Sequence, residues 1–396
     1  MRYTPLIFVG LLLTQPVEAA SLRAALDQAW EKSPQAQTLE AKRAESNAQG
    51  VAANSLLAGA PVIVLGHRSD QLNNNAGVRE WEAGMALPIW LPGQRDARQR
   101  QAKAGRVGLE ANIRALRLRL AGELREAIWQ VRQVEAQAQL DEARAQTAKK
   151  LAEDVAKRVR AGELAKTDLN LAQNEWRTAQ AAVLQNRNRL LQAQQAYATL
   201  TGATVLPDDI AESAQSKPLS DDHPLLEEAR QAIEVAQAQV NVISQSRRDN
   251  PELELSTRRE RGSLNDPYAG NVALSLRLPL STDARNLPLI SAAQTVLTST
   301  QSEYSRTRLT LEYNRQQADQ ALQAADQLLD LARQRRGAAR ENLDLIQKSF
   351  SLGESDLFTL LRARTAAFEA EQAHNQQEIA SALSRARLNQ AQGVLP

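Results

Sequence analysis

The chain repeats itself at an offset of 190 or 191 residues, and that duplication limits what it can fold into. Pro34 recurs as Pro224, Pro61 as Pro251, Pro88 as Pro279, Gly162-Glu163 as Gly353-Glu354, and Gly202 as Gly393. Proline lacks a backbone donor and glycine accepts positive φ, so both punctuate secondary structure. Five such marks in one order imply two copies of the same succession of elements. The period is far longer than that of a solenoid, so each copy is a module of several elements.

The first residues read as a secretory leader, residues 1–19. Arg2 supplies a weak basic start, Leu6 to Leu13 an apolar run, and Val17-Glu18-Ala19 a small-residue cleavage site. That run is too short to span a bilayer, and no later stretch approaches about 18 consecutive apolar residues. An exported chain without a transmembrane helix is expected. It has no cysteine, which excludes a disulfide framework, a zinc–thiolate site and a lipid anchor on an N-terminal cysteine. These features together point to a bacterial envelope protein. The first copy spans 20–202, a Pro-, Asp- and Ser-rich linker 203–222, and the second copy 223–396.

The net charge is only +2 and the signs are interleaved, so no basic face argues for nucleic acid. Alanine, glutamine, leucine and arginine dominate, as in long helices that meet through small contacts. From Ala318 an apolar seam runs Ala318, Leu322, Ala325, Leu329, Ala332, Ala339, Leu343, Ile346 and Phe350, broken only at Arg336. A second seam on the same segment carries Ala324, Leu328, Leu331, Ala338 and Leu345, broken at Arg335 and Asn342. Two seams let one helix touch a neighbour on each side, as the staves of a wall do. Residues Leu169, Ala172, Trp176, Ala179, Val183, Leu190, Ala193, Tyr197 and Leu200 repeat the pattern, with Asn186 in sequence. The seams alone also fit an ordinary coiled-coil bundle.

Each copy adds two strands, expected near 61–68 and 80–90, then 251–259 and 269–280. Trp81, Ala83, Met85, Leu87 and Ile89 alternate with Glu80, Glu82, Gly84, Ala86 and Pro88. Val272, Leu274, Leu276 and Leu278 alternate with Asn271, Ala273, Ser275 and Arg277. Period-2 alternation over about ten residues suits a tilted strand crossing an outer membrane, apolar to lipid and polar to the lumen. Trp81, Met85, Leu87, Ile89, Val272, Leu274, Leu276 and Leu278 are the expected lipid-facing positions. Trp81, Trp90 and Tyr268 lie near strand ends, where an aromatic girdle belongs. Four strands cannot close a barrel, and lipid does not tolerate an open edge. Under this reading several protomers pool their strands; hairpins packed on a soluble core are the alternative.

No phosphate loop, nucleophile elbow or zinc spacing is present, so no enzyme, cofactor or metal site is expected. His67, His223 and His374 are isolated in sequence. His67 ends a short strand with the barrel lumen as its candidate surrounding, and His374 continues a heptad where packing is the better reading.

These residues resemble the outer membrane efflux proteins, the family of the TolC channel, over nearly the whole mature length. The resemblance rests on Ser21-Leu22, Ala25, Ala29 and Ser33-Pro34, on His223-Pro224-Leu225, and on Leu87-Pro88-Ile89 and Leu278-Pro279-Leu280. It is carried furthest by Gly162-Glu163-Leu164 with Asp168, and by Phe350-Ser351-Leu352-Gly353-Glu354, each followed by a long helix. It implies a mainly α fold with a membrane β-barrel: a homotrimer pooling twelve strands in the outer membrane above a tunnel of twelve periplasmic helices. Its function would be a passive duct for a periplasmic adaptor and an inner-membrane pump, without nucleotide or cofactor. Gly162, Glu163, Leu164, Leu352, Gly353 and Glu354 would dock the adaptor. Asp168 and Asp356 would ring the aperture, where three like carboxylates favour cations. Thr359 and Arg362 stand where acidic residues occur in relatives, so the second copy departs from the pattern. Helix N-terminal capping is the plainer role for both aspartates. The run from Leu87 through Pro88-Ile89-Trp90-Leu91-Pro92-Gly93-Gln94 to Arg98 is similar to the heavy-metal branch, whose pumps are of the resistance-nodulation-division type. Drug efflux and polypeptide secretion are the rivals within the family; a soluble periplasmic scaffold or adaptor is the rival outside it.

Overall fold

The computed structural model describes residues 21–215, 218 and 220–396; the expected leader lies outside them. The elements run α1 (Leu22–Lys32), α2 (Pro34–Asn54), β1 (Val62–Ser69), β2 (Arg79–Pro88), α3 (Gln94–Arg160) and α4 (Lys166–Thr201). The second set is α5 (Pro224–Gln245), β3 (Glu252–Arg261), β4 (Ala269–Arg277), α6 (Asp283–Ser351) and α7 (Leu357–Ala391). The same order, helix, hairpin, very long helix, helix, thus occurs twice. No helix among the described residues is long and apolar enough to cross a membrane.

The chain forms two compact units. The first combines the segment up to Pro34 with Leu118–Ser216 and Arg315–Pro396. Here α1 begins at Ser21, whose Oγ accepts the Ala24 N–H at 3.2 Å. Its Leu22, Ala25, Leu26 and Ala29 pack with Leu120, Leu124, Ile128 and Val131 of α3 and Ala193 and Tyr197 of α4. Helix α4 stops at Gly202, whose φ of 79° is left-handed and whose N–H reaches the Ala198 carbonyl, a conformation that costs glycine nothing.

The two seams of α6 have different fates. Ala325, Leu329, Ala332 and Phe350 of the first are buried, and Ala318, Leu322, Ala339, Leu343 and Ile346 are partly so. All five residues of the second, Ala324, Leu328, Leu331, Ala338 and Leu345, are exposed. Burying apolar surface contributes about 25 cal/mol per Å², so the second seam is unspent within one chain. His374 is buried, with Nδ1 3.0 Å from the Arg336 guanidinium. The residue that interrupts the first seam thereby gains a polar partner.

The second unit comprises Gln35–Arg117 and Lys217–Asn314. Its four strands form one antiparallel sheet in the order β1-β2-β3-β4, so the two hairpins are joined through β2 and β3 and both outer strands are edges. Each hairpin turn lies at the end of the sheet away from the helices that feed it. His223 is a helix cap: its Nδ1 accepts the Leu225 N–H at 3.2 Å at the start of α5. His67 corrects the lumen expectation. It lies opposite Trp81 in the register, with ring centroids 4.0 Å apart, and so belongs to the apolar face. Alternation explains this: His67 is two and four residues from Leu65 and Ile63, and period 2 keeps them on one side.

Candidate functional site

The helix turns at Gly162 and Gly353 have one geometry. At the first, the Glu163 N–H donates to the Arg158 carbonyl (2.9 Å) and the Gly162 N–H to Val159 (3.1 Å). At the second, Glu354 donates to Ser349 (3.0 Å) and Gly353 to Phe350 (3.1 Å). This is the Schellman pair of bonds, which satisfies carbonyls left over at a helix end and requires a left-handed residue at its centre. Gly162 and Gly353 supply it, with φ of 84° and 81°. A Cβ at either position would meet nothing within 4 Å, so backbone conformation alone calls for glycine there.

Next to the turns the helices share a core. Leu151, Ala152 and Val155 of α3, Ala172 of α4, Phe350 of α6, and Leu357 and Leu360 of α7 are buried together, with Leu164 packed against them. Arg158 lies over the Phe350 ring at 5.2 Å, a cation–π contact between the two hairpins. Of the expected docking residues, Gly162, Glu163, Leu352, Gly353 and Glu354 are exposed and Leu164 is half-buried. Leu352 is 66% exposed, an unpartnered apolar side chain at a helix turn.

The two aspartates divide one capping arrangement between them. Asp168, three residues into α4, accepts the Ala165 N–H at 3.1 Å through Oδ2. Asp356 instead occupies the cap position itself and accepts the Thr359 N–H at 2.7 Å. Each chain copy thus keeps one half of the reciprocal capping box. Ala165 and Asp356 are equivalent under the 191-residue offset, as are Asp168 and Thr359. The side chain and backbone N–H of Thr359 hold the Asp356 carboxyl below its ordinary value, against a smaller opposing effect of desolvation.

The sheet separates two chemistries. One face shows Ile63 and Leu65, Trp81, Ala83 and Met85, Leu253 and Leu255, and Val272, Leu274 and Leu276. The register aligns them in rows such as Ile63–Met85–Leu255–Leu274 and Leu65–Ala83–Thr257–Val272. Trp81, Met85, Ile89, Val272, Leu274, Leu276 and Leu278 are exposed, while Leu87 is half-buried. Trp90 is tied down, its indole N–H donating to the Ser55 carbonyl at 3.0 Å.

The other face bears Glu80, Glu82, Glu252, Glu254 and Glu260 against Arg68, Arg258 and Arg277, an excess of two carboxylates. Arg258 lies 2.9 Å from Glu80 and 3.6 Å from Glu82, and Arg277 lies 2.9 Å from Glu252. Sequence reasoning saw the alternation but missed this cross-strand ladder, because Arg258 and its partners Glu80 and Glu82 come from different hairpins and only the register brings them together.

It also missed Gln94. This side chain is 4% exposed, accepts from the Leu91 N–H at 3.1 Å and the Asn250 amide at 2.6 Å, and donates to Ser246 at 3.1 Å. It joins the turn after β2 to the turn before β3, which are far apart in sequence. Among the described residues no cluster of potential metal ligands occurs.

The profile of the family described as outer membrane efflux protein matches residues 25–203 and 219–394. Among curated proteins, none matches the sequence significantly. Solved structures share the fold at low identity. The outer membrane protein VceC from Vibrio cholerae is 17% identical with a TM-score of 0.74, over 94% of this chain and 96% of that one. CusC is 15% identical with a TM-score of 0.77, over 94% and 92%. The open state of the MtrE outer membrane channel from Neisseria gonorrhoeae is 19% identical with a TM-score of 0.75, over 95% and 89%. With both copies covered by the profile, the chain belongs to the outer membrane efflux protein family.

Proposed function

We propose that the protein is the outer membrane duct of a tripartite efflux pump. Its apolar sheet face contacts outer membrane lipid and its helices line a periplasmic passage. The single observation that carries this is the two-faced sheet. Its apolar side is exposed, its opposite side carries paired and excess carboxylates, and both edges are unpaired. An open edge cannot lie in lipid, so copies of the chain must complete one another. Three would pool twelve strands, within the range of closed barrels. The exposed seam of α6, from Ala324 to Leu345, supports the same conclusion for the helices. The domain reading proposed is a leader 1–19, repeats 20–202 and 223–396, and a connecting segment 203–222.

Substrate then passes by diffusion, and energy comes from an inner-membrane pump of the resistance-nodulation-division type through a periplasmic adaptor. The exposed turns at Gly162-Glu163-Leu164 and Leu352-Gly353-Glu354 are the adaptor surface in this reading. They repeat one geometry, so one adaptor motif fits both. Asp168 and Asp356, in threefold rings, bias the aperture towards cations. The stretch from Leu87 to Arg98 supports divalent heavy-metal cations as cargo, and the carboxylate excess on the polar sheet face is compatible with it. A duct needs no catalytic residue or cofactor.

Planar-bilayer conductance of the detergent-purified oligomer, compared with Asp168→Ala, tests the reading. Discrete cation-preferring currents whose selectivity falls in the variant support both duct and ring. Currents indifferent to the substitution keep the duct and leave Asp168 as a helix cap. A protein that needs no detergent and is silent in bilayers overturns the duct.

A further inference from the structure

The apolar face of the sheet ends in a basic and aromatic collar. Its last row across the strands is His67–Trp81–Arg259–Gly270. One step beyond, Arg79 and Arg261 lie directly opposite each other across β2 and β3. Like charges in that relation repel, and the sheet keeps three guanidiniums on one side of one end. Asp70 neutralises only Arg79, at 3.0 Å. Among the described residues no carboxylate lies within ion-pairing distance of Arg259 or Arg261. The Arg261 Nε donates to the Gly77 carbonyl at 3.1 Å. Both guanidiniums stand 5.1 Å from the Tyr268 ring, which orients them without cancelling their charge. The glutamates of this sheet cannot do so either, because they project from the opposite face. Opposite Arg259 the register places Gly270, with open space where a Cβ would be.

We propose that this collar binds the phosphate groups of a glycolipid in the outer leaflet. The inference rests on the duct reading and deepens it. Below the collar the exposed Leu65, Val272 and Leu274 face acyl chains. At the collar, Trp81 and Tyr268 suit the interfacial zone where aromatic rings concentrate. Arginine there carries its charge to headgroup level while its stem stays on apolar surface. A guanidinium pairs with phosphate through two parallel hydrogen bonds, and two uncompensated guanidiniums sharing one aromatic ring match a doubly charged anion. The side is set by topology: the collar is at the hairpin end of the sheet, opposite α2, α3, α5 and α6. With those helices in the periplasm, the hairpin end faces outward, so the phosphates belong to outer-leaflet glycolipid rather than to phospholipid of the inner leaflet.

The test uses the oligomer purified in a neutral maltoside detergent. It is titrated with bis-phosphorylated lipid A, with the same lipid freed of its phosphates, and with phosphatidylglycerol. Thermal unfolding and native mass spectrometry give the readouts, for wild type, Arg259→Gln and, on the polar face, Arg68→Gln. Lipid A is expected to raise Tm and remain bound in the mass spectrum of wild type and Arg68→Gln. The rise and the adduct are expected to be largely lost in Arg259→Gln and with the dephosphorylated lipid. An equal effect of dephosphorylated lipid, an equal effect of phosphatidylglycerol, or an undiminished response of Arg259→Gln overturns the proposal. Conductance of the same preparations keeps the two readings apart. Preparations that conduct but show no phosphate-dependent rise in Tm or adduct overturn the collar alone, whereas failure to insert into bilayers overturns the duct on which it rests.

Discussion

Arg125 and Glu212 form a bidentate ion pair in the first unit, the guanidinium Nε and Nη2 donating to the two carboxylate oxygens at 2.8 and 2.6 Å. Arg125, on α3, is 2% exposed. Its remaining donors reach the Gln390 side chain at 2.6 Å and the Val394 carbonyl at 3.1 Å. Asn389 of α7 donates to Glu212 and to the Ser213 carbonyl. The segment after α4 is thereby clamped to α3 and to the end of α7. Taking two charges out of water is costly, and the pair recovers that cost because each guanidinium nitrogen of Arg125 has an acceptor.

Removing one partner should be worse than removing both. Arg125→Met leaves Glu212 without its cation, and such a loss costs about 3–5 kcal/mol. The double variant Arg125→Met/Glu212→Leu should recover much of this. Thermal unfolding of the two singles and the double checks it, and additive losses would contradict the pair as a unit.

The start of α7 should loosen in acid. The carboxyl of Asp356 is held below its ordinary value of 3.8 by Thr359. A depressed pKa stabilises the fold above the unfolded value, and that contribution disappears as pH falls through the folded one. The window is therefore below about pH 4. Hydrogen exchange of the first turn of α7 should accelerate there, and Asp356→Asn should show little of that dependence. Equal pH dependence in the variant would remove Asp356 as the cause.

Gly162→Ala and Gly353→Ala should destabilise by similar amounts. Both residues are left-handed and neither Cβ would clash, so the cost is the conformational one of about 1–2 kcal/mol. Asn, which tolerates the left-handed region better, should cost less at each site. Local exchange rates at the turns measure this. A much larger effect at one glycine would reveal a contact made only in the assembly.

Leu331→Asp and Leu345→Asp should block assembly while leaving the chain helical. These side chains are 61% and 63% exposed, so a carboxylate there meets water in one chain but apolar surface in an oligomer, where an unpaired charge is costly. Light scattering in detergent should show the oligomer replaced by monomer, with unchanged circular dichroism. An oligomer that persists in both variants would place the interface elsewhere.

Much of the fold was legible because its signals are local and periodic. Strict alternation over 80–90 and again over 271–278 marks strands whatever they pair with, and the glycine turns interrupt heptads that otherwise continue. Long alanine- and leucine-bearing seams specify helices without reference to a partner. The charge relationships were not legible. Arginine is ordinarily a surface residue, and nothing near Arg125 in sequence announces Glu212. His67 was misplaced for a related reason: a ring at a strand end takes the side set by the pleat and by its cross-strand neighbour Trp81.

The sequence by itself determined the doubled order of elements, the two-faced strands and the positions where helices must turn, because backbone conformation and side-chain period act over a few residues. Tertiary structure alone decided which seam of α6 is covered, and that Arg258 meets Glu80 and Glu82. It also decided that Arg79 and Arg261 share one end of the apolar face. Those outcomes depend on which strands and helices become neighbours and in what register. A shift of one residue in a sheet would send every one of these side chains to the opposite side.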